Sequence, residues 1–84
     1  PKPAGKLTYK DQRRLEELDG LIAGAPARTA ALEASLADPV LYSRDPAAFQ
    51  RLSRDLETLR TQMIAAEEEW LVLEERREAL EAGR

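Results

Sequence analysis

Phe49, Leu52, Leu56, Leu59, Met63, Ala66, Trp70, Leu73, Arg77 and Leu80 stand alternately three and four residues apart. Sustained for more than four heptads, that spacing lines apolar side chains along one narrow seam of a helix, the pattern of a coiled coil rather than of a globular helix. Only Arg77 interrupts it. An earlier series, Leu15, Leu18, Ile22, Ala25, Thr29, Leu32 and Leu36, has the same period with smaller side chains. Two seams in one short chain leave few choices, because each must bury its stripe and each has the other within reach.

The stretch between them, "LADPVLYSRDPAAFQRL", contains Asp-Pro twice. A residue before proline is pushed out of the α region, so Pro39 is expected to end the first helix. Asp45-Pro46 reads as a helix start, since aspartate caps well and proline suits the first helical position. The pattern predicts an N-terminal segment over 1–8, helices over 9–37 and 46–82, and a turn over 38–45. So short a connection favours antiparallel neighbours. The expected fold is therefore all-α: a two-helix antiparallel coiled-coil hairpin. Pairing residues whose numbers sum to 88 stacks Leu32 on Leu56, Thr29 on Leu59, Ala25 on Met63, Ile22 on Ala66, Leu18 on Trp70 and Leu15 on Leu73. Large meets small in several layers, as close packing requires.

The first arm has a weak point in "DGLIAGAPAR". Within a helix, Gly20 and Gly24 each cost about 1 kcal/mol relative to alanine, and Pro26 costs about 3 kcal/mol. Pro26 also removes the bond to the carbonyl of Ile22. A kink or short irregular turn is expected within residues 20–26. Thr8, three residues before Asp11, resembles a capping box. The longer second helix should overhang the first by about 12 Å at its base, with Leu7 and Tyr9 covering Leu73 and Leu80.

There is no Cys and no His, which excludes disulfides, thiol chemistry and a histidine base, and fits a reducing cytosol. No apolar run approaches a membrane span. The opening "PKPAGK" lacks a methionine and reads as a piece of a longer chain. Glu67, Glu68 and Glu69 are consecutive on a helix and point in different directions, so they cannot converge on a metal or on an acid–base pair. No catalytic or metal site is expected.

Net charge is −3, unevenly placed: residues 1–14 carry +4 and residues 67–81 carry −5. The side chains able to meet phosphate are Lys2, Lys6, Lys10, Arg13 and Arg14 at the base and Arg44, Arg51 and Arg54 at the tip. Such residues supply non-specific nucleic-acid affinity, although an acidic domain is a poor starting point. The competing reading is a solvated face with i,i+4 pairs Arg13–Glu17, Arg51–Asp55 and Arg77–Glu81. Trp70 belongs to the seam rather than to a base-stacking platform, and Tyr42 is expected to close the tip over Leu36 and Phe49.

"KLTYKDQRRLEEL", "LEASLADPVLYSRDPAAFQRL" and "EEEWLVLEERREAL" together resemble the C-terminal domain of Uup-type ABC-F ATPases. The likeness runs over about residues 6–80, with one departure: Asp19 stands where the family usually has proline. The resemblance implies a cytoplasmic parent with two ATP-binding cassettes using ATP and magnesium, of which this is a non-catalytic appendage. It also implies nucleic-acid binding, to DNA more than RNA. On the charges, the expected contacts are weak and sequence-independent, made by Lys6, Lys10, Arg13, Arg14, Arg44, Arg51 and Arg54 at the ends of a hairpin whose mutually satisfied seams make it a monomer. The chain has no glycine-rich phosphate loop of its own. Two alternatives remain open: a protein-interaction arm docking on its own cassettes or on the ribosome, and a transfer-RNA-binding arm like that of seryl-tRNA synthetases.

Overall fold

Thr8 begins the first helix: its Oγ1 accepts the backbone N–H of Asp11 at 3.1 Å. The computed structural model describes residues 5–83, and α1 runs over Tyr9–Leu36, α2 over Pro39–Arg44 and α3 over Pro46–Ala82. Lys2 and the first four residues of the N-terminal segment lie outside the described residues.

The chain folds as an elongated helical hairpin, 64 Å long and about as thick as two packed helices. Contacts between α1 and α3 run in opposite order along the two helices. Arg76 donates to Asp11, Arg14 to Glu69, Trp70 to Asp19, and Arg60 lies against Glu33. The residue numbers of these pairs sum to between 83 and 93, centred on the register of 88. Every expected seam position of both helices is buried or half-buried except Arg77, which stays exposed and bonds Glu74. Leu18 and Leu59 are wholly enclosed, each such leucine being worth about 1.5–3 kcal/mol in transfer terms.

Four expectations are corrected. The connection is not a simple turn. Asp38 accepts from Val40 at 2.9 Å and caps the six-residue α2, with Pro39 as its first residue. Asp45 accepts from Ala48 at 3.0 Å and caps α3 in the same way. Both Asp-Pro pairs start helices, so Pro39 opens one helix as well as closing off another.

The irregular turn expected within 20–26 is also absent, because α1 is one continuous helix through Pro26. Pro26 is solvent-exposed, and Ile22, Ala25 and Thr29 around it stay packed in phase against α3. Tertiary packing thus overrides the weak local propensity.

The extra length of α3 falls mostly at the tip, where α2 packs over it. Tyr42 meets Phe49 there edge to face, with ring centroids 5.1 Å apart. At the base, Leu7 joins Leu15, Leu18, Leu73 and Leu80 in one cluster, and the carbonyl of Leu7 accepts from Gln12 at 3.0 Å. Gly5, with φ of 95°, provides the left-handed step that leads into this segment, a conformation glycine adopts without steric cost. Tyr9 does not cover the base as expected; it is largely exposed.

Candidate nucleic-acid interface

The cap at Thr8 sets the phase of α1 and so decides which base cations face out. Lys10 and Arg13 point into solvent, whereas Arg14 lies half-buried beside α3. Glu69 takes the Arg14 guanidinium in a two-pronged bond, from Nε at 2.6 Å and Nη2 at 2.8 Å, and Glu17 approaches at 3.5 Å. This geometry recognises a carboxylate on two atoms at once. The hydrogen bond from Arg14 holds the Glu69 carboxyl below its ordinary range, and the same bond raises the guanidinium pKa. Arg14 is thereby engaged by an internal carboxylate.

Arg76 is tied to Asp11 at 2.7 Å, Arg77 to Glu74 and Arg60 to Glu33. The i,i+4 pairs expected for Arg13, Arg51 and Arg77 do not form; the pairs within one helix are Arg14–Glu17 and Arg77–Glu74, each three residues apart. Lys6, Lys10, Arg13, Arg44, Arg51 and Arg54 have no acidic partner among the described residues. Arg13 instead rests over the Tyr9 ring, 5.9 Å from its centroid, and donates to the Tyr9 hydroxyl at 3.3 Å.

Two ends carry them. Lys6, Lys10 and Arg13 lie at the base, Lys6 lining one hollow and Lys10 with Arg13 another; Arg44, closing α2, precedes Arg51 and Arg54 in the first turns of α3 at the tip. Sequence reasoning missed Arg28, which is also exposed and unpaired among the described residues. The available signal was its heptad position, two heptads beyond Arg14. Trp70 keeps its place on the seam, half-buried, and satisfies its indole N–H on Asp19. Among the described residues no group of acidic side chains is placed to hold a metal ion, and no helix is long and apolar enough to cross a membrane.

Residues 6–75 match the family described as the ABC transporter C-terminal domain. The chain belongs to that family. Over 80 residues, or 95% of its length, it is 55% identical to the ATP-binding protein Uup of Caulobacter vibrioides. The resemblance to Uup-type C-terminal domains therefore holds along nearly the whole chain. The domain spans 13% of that relative's length. No solved structure matches it.

Proposed function

We propose that this domain is a non-catalytic antiparallel coiled-coil arm of a larger cytoplasmic ATP-binding protein, and that it gives its parent weak, sequence-independent affinity for nucleic acid, DNA above RNA. Catalysis, ATP and magnesium belong, in this reading, to the cassettes of the parent. The observation that carries it is the sorting of cations: internal acids engage Arg14, Arg60, Arg76 and Arg77, and leave six of the seven candidate phosphate contacts open to solvent. Side chains of this kind position a phosphate backbone without reading bases.

The test is fluorescence anisotropy on duplex DNA and on RNA across a salt series. Replacing Lys6, Lys10 and Arg13 together by glutamine, and Arg44, Arg51 and Arg54 together, should each weaken binding and flatten its salt dependence. If the parent domain binds neither polymer at low salt, or both triple variants bind like the parent, the reading is wrong.

A second reading is favoured by the outer face of α3, where Ile64, Leu71 and Val72 are each more than half exposed. An arm that docks on its own cassettes or on the ribosome would use such side chains, and its retention would be insensitive to salt. Membership of the ABC transporter C-terminal domain family argues against the transfer-RNA arm of a synthetase.

A further inference from the structure

Two packed helices leave two flanks, one on either side of the seam, and residues a whole number of heptads apart on one helix share a flank. Four hollows between the helices identify the flanks. Glu16 and Asp19 with Glu81, Lys6 and Arg77 line one hollow, and Asp19 with Glu67 and Leu71 line a second. On the other side, Lys10, Arg14 and Glu17 meet Glu69 and Arg76, and further along Arg28 and Ala31 meet Asp55 and Thr58.

Extending these by heptad steps sorts the charges. The first flank takes Glu16, Asp19 and Glu33 from α1. From α3 it takes Glu57, Glu67, Glu74, Glu78 and Glu81, and its cations are Lys6, Arg60, which Glu33 holds, and Arg77, which Glu74 holds. The second flank takes Lys10, Arg14, Arg28, Arg51 and Arg76 against Glu17, Asp55 and Glu69. The formal charges are −5 and +2. A chain of net charge −3 thus presents one strongly acidic broad side and one basic broad side. On the basic side Arg14 and Arg76 are tied to acids, so the cations left for a partner are Lys10, Arg28 and Arg51. Asp55 is the acid of that side left without an ion pair among the described residues.

We propose that nucleic acid lies along this basic broad side, contacted in sequence by Lys10, Arg28 and Arg51, rather than being held at the two ends of the hairpin. The proposal rests on the nucleic-acid reading above and assigns it a face. In the register of 88, Lys10 sits level with residue 78, so the three cations span about 40 Å at 1.5 Å per residue. Duplex DNA advances ~3.4 Å per base pair, so the span corresponds to about 12 base pairs, over which a duplex is effectively a straight rod. The partner assigned is therefore a double-stranded phosphate backbone, with the acidic side turned away from it.

The experiment compares Arg28→Gln with Arg60→Gln, using anisotropy on a 20-base-pair duplex and circular dichroism to confirm that both variants keep the parent's helicity. Each variant removes one positive charge, but from opposite broad sides. Arg28→Gln should weaken binding about threefold or more and reduce the logarithmic salt slope by about 0.9, the effect of one lost phosphate contact. Arg60→Gln should bind as the parent does, Asp55→Asn should bind more tightly, and a duplex of 8 base pairs should bind more weakly than its reduced number of registers explains. Equal weakening by Arg28→Gln and Arg60→Gln would mean that overall charge, not a face, controls binding, and would overturn the proposal. So would an inert Arg28→Gln beside active triple variants, which would return the contact to the ends. A parent that binds no duplex at low salt would remove the nucleic-acid reading itself, and the proposal with it.

Discussion

Across the hairpin, Trp70 donates its indole N–H to a carboxylate oxygen of Asp19 at 2.7 Å. A tryptophan on a helix seam can bury its ring only if the N–H finds an acceptor, and Asp19 supplies one from the edge of α1. The bond is solvent-exposed, so water can replace the carboxylate when it is removed. Asp19→Ala should therefore cost only about 0.5–1.5 kcal/mol. Trp70 is the sole tryptophan of the chain, so its fluorescence reports on this site alone. The variant should shift the emission without loss of helicity; an unchanged emission would mean that the bond does not persist in solution.

Glycine and proline in α1 weaken it without any packing reason to be there. A Cβ built on Gly20 or Gly24 meets nothing within 4 Å, and the backbone around both is helical. Gly20→Ala and Gly24→Ala should each add about 1 kcal/mol, and Pro26→Ala up to about 3 kcal/mol. Thermal melts should show these gains as a raised Tm. Amide exchange should meanwhile be faster over residues 20–26 of the unmodified domain than over Leu56–Leu73. Equal protection in the two stretches would show that α3 holds this segment as firmly as any other.

The seam was legible from the sequence because its period survives every local irregularity. The irregular turn expected around Pro26 did not form because propensity is a local quantity, whereas Ala25 and Thr29 are held by α3 from a distant part of the chain. The caps at Thr8 and Asp45 were readable, since a cap needs only its next few residues. The helical character of Pro39–Arg44 was missed because six residues carry no period. For the candidate interface, the sequence named candidate cations but not their internal partners. Arg14 and Arg13 are neighbours of one residue type, and only the phase of α1 against Glu69 separates the engaged one from the open one.

The Arg14–Glu69 pair also adds a pH-dependent part to the domain's stability. The bond from Arg14 lowers the folded-state pKa of Glu69 below its ordinary value of 4.5. A carboxyl with a depressed folded pKa contributes stability that is complete above its unfolded pKa and is lost as pH falls through the folded value. The domain should therefore lose stability as pH drops below about 4.5, and Glu69→Gln should flatten that limb of the curve. Both groups are well exposed to solvent, so the effect is modest and salt-sensitive. Denaturant melts at several pH values measure it; a limb of equal steepness in Glu69→Gln would assign the acid sensitivity to other carboxylates.

The outer face of α3 separates a solvated surface from a docking one. Ile64 is 62% exposed and Leu71 51% exposed, one heptad apart and off the seam. Neither side chain contributes to the seam, so Ile64→Ser with Leu71→Ser should change the stability of the isolated hairpin by no more than about 0.5 kcal/mol for each site. Because both seams are already buried within one chain, sedimentation at micromolar concentration should show an elongated monomer for the parent and the variant alike. A parent dimer that dissociates on this substitution would place the contact on α3 and make Ile64 and Leu71 its centre. A dimer that survives it would point instead to exchange of α1 between two chains through an opened tip. Duplex binding should be untouched by the pair of serines in either case, since the basic flank and the outer face of α3 share none of the contacting cations.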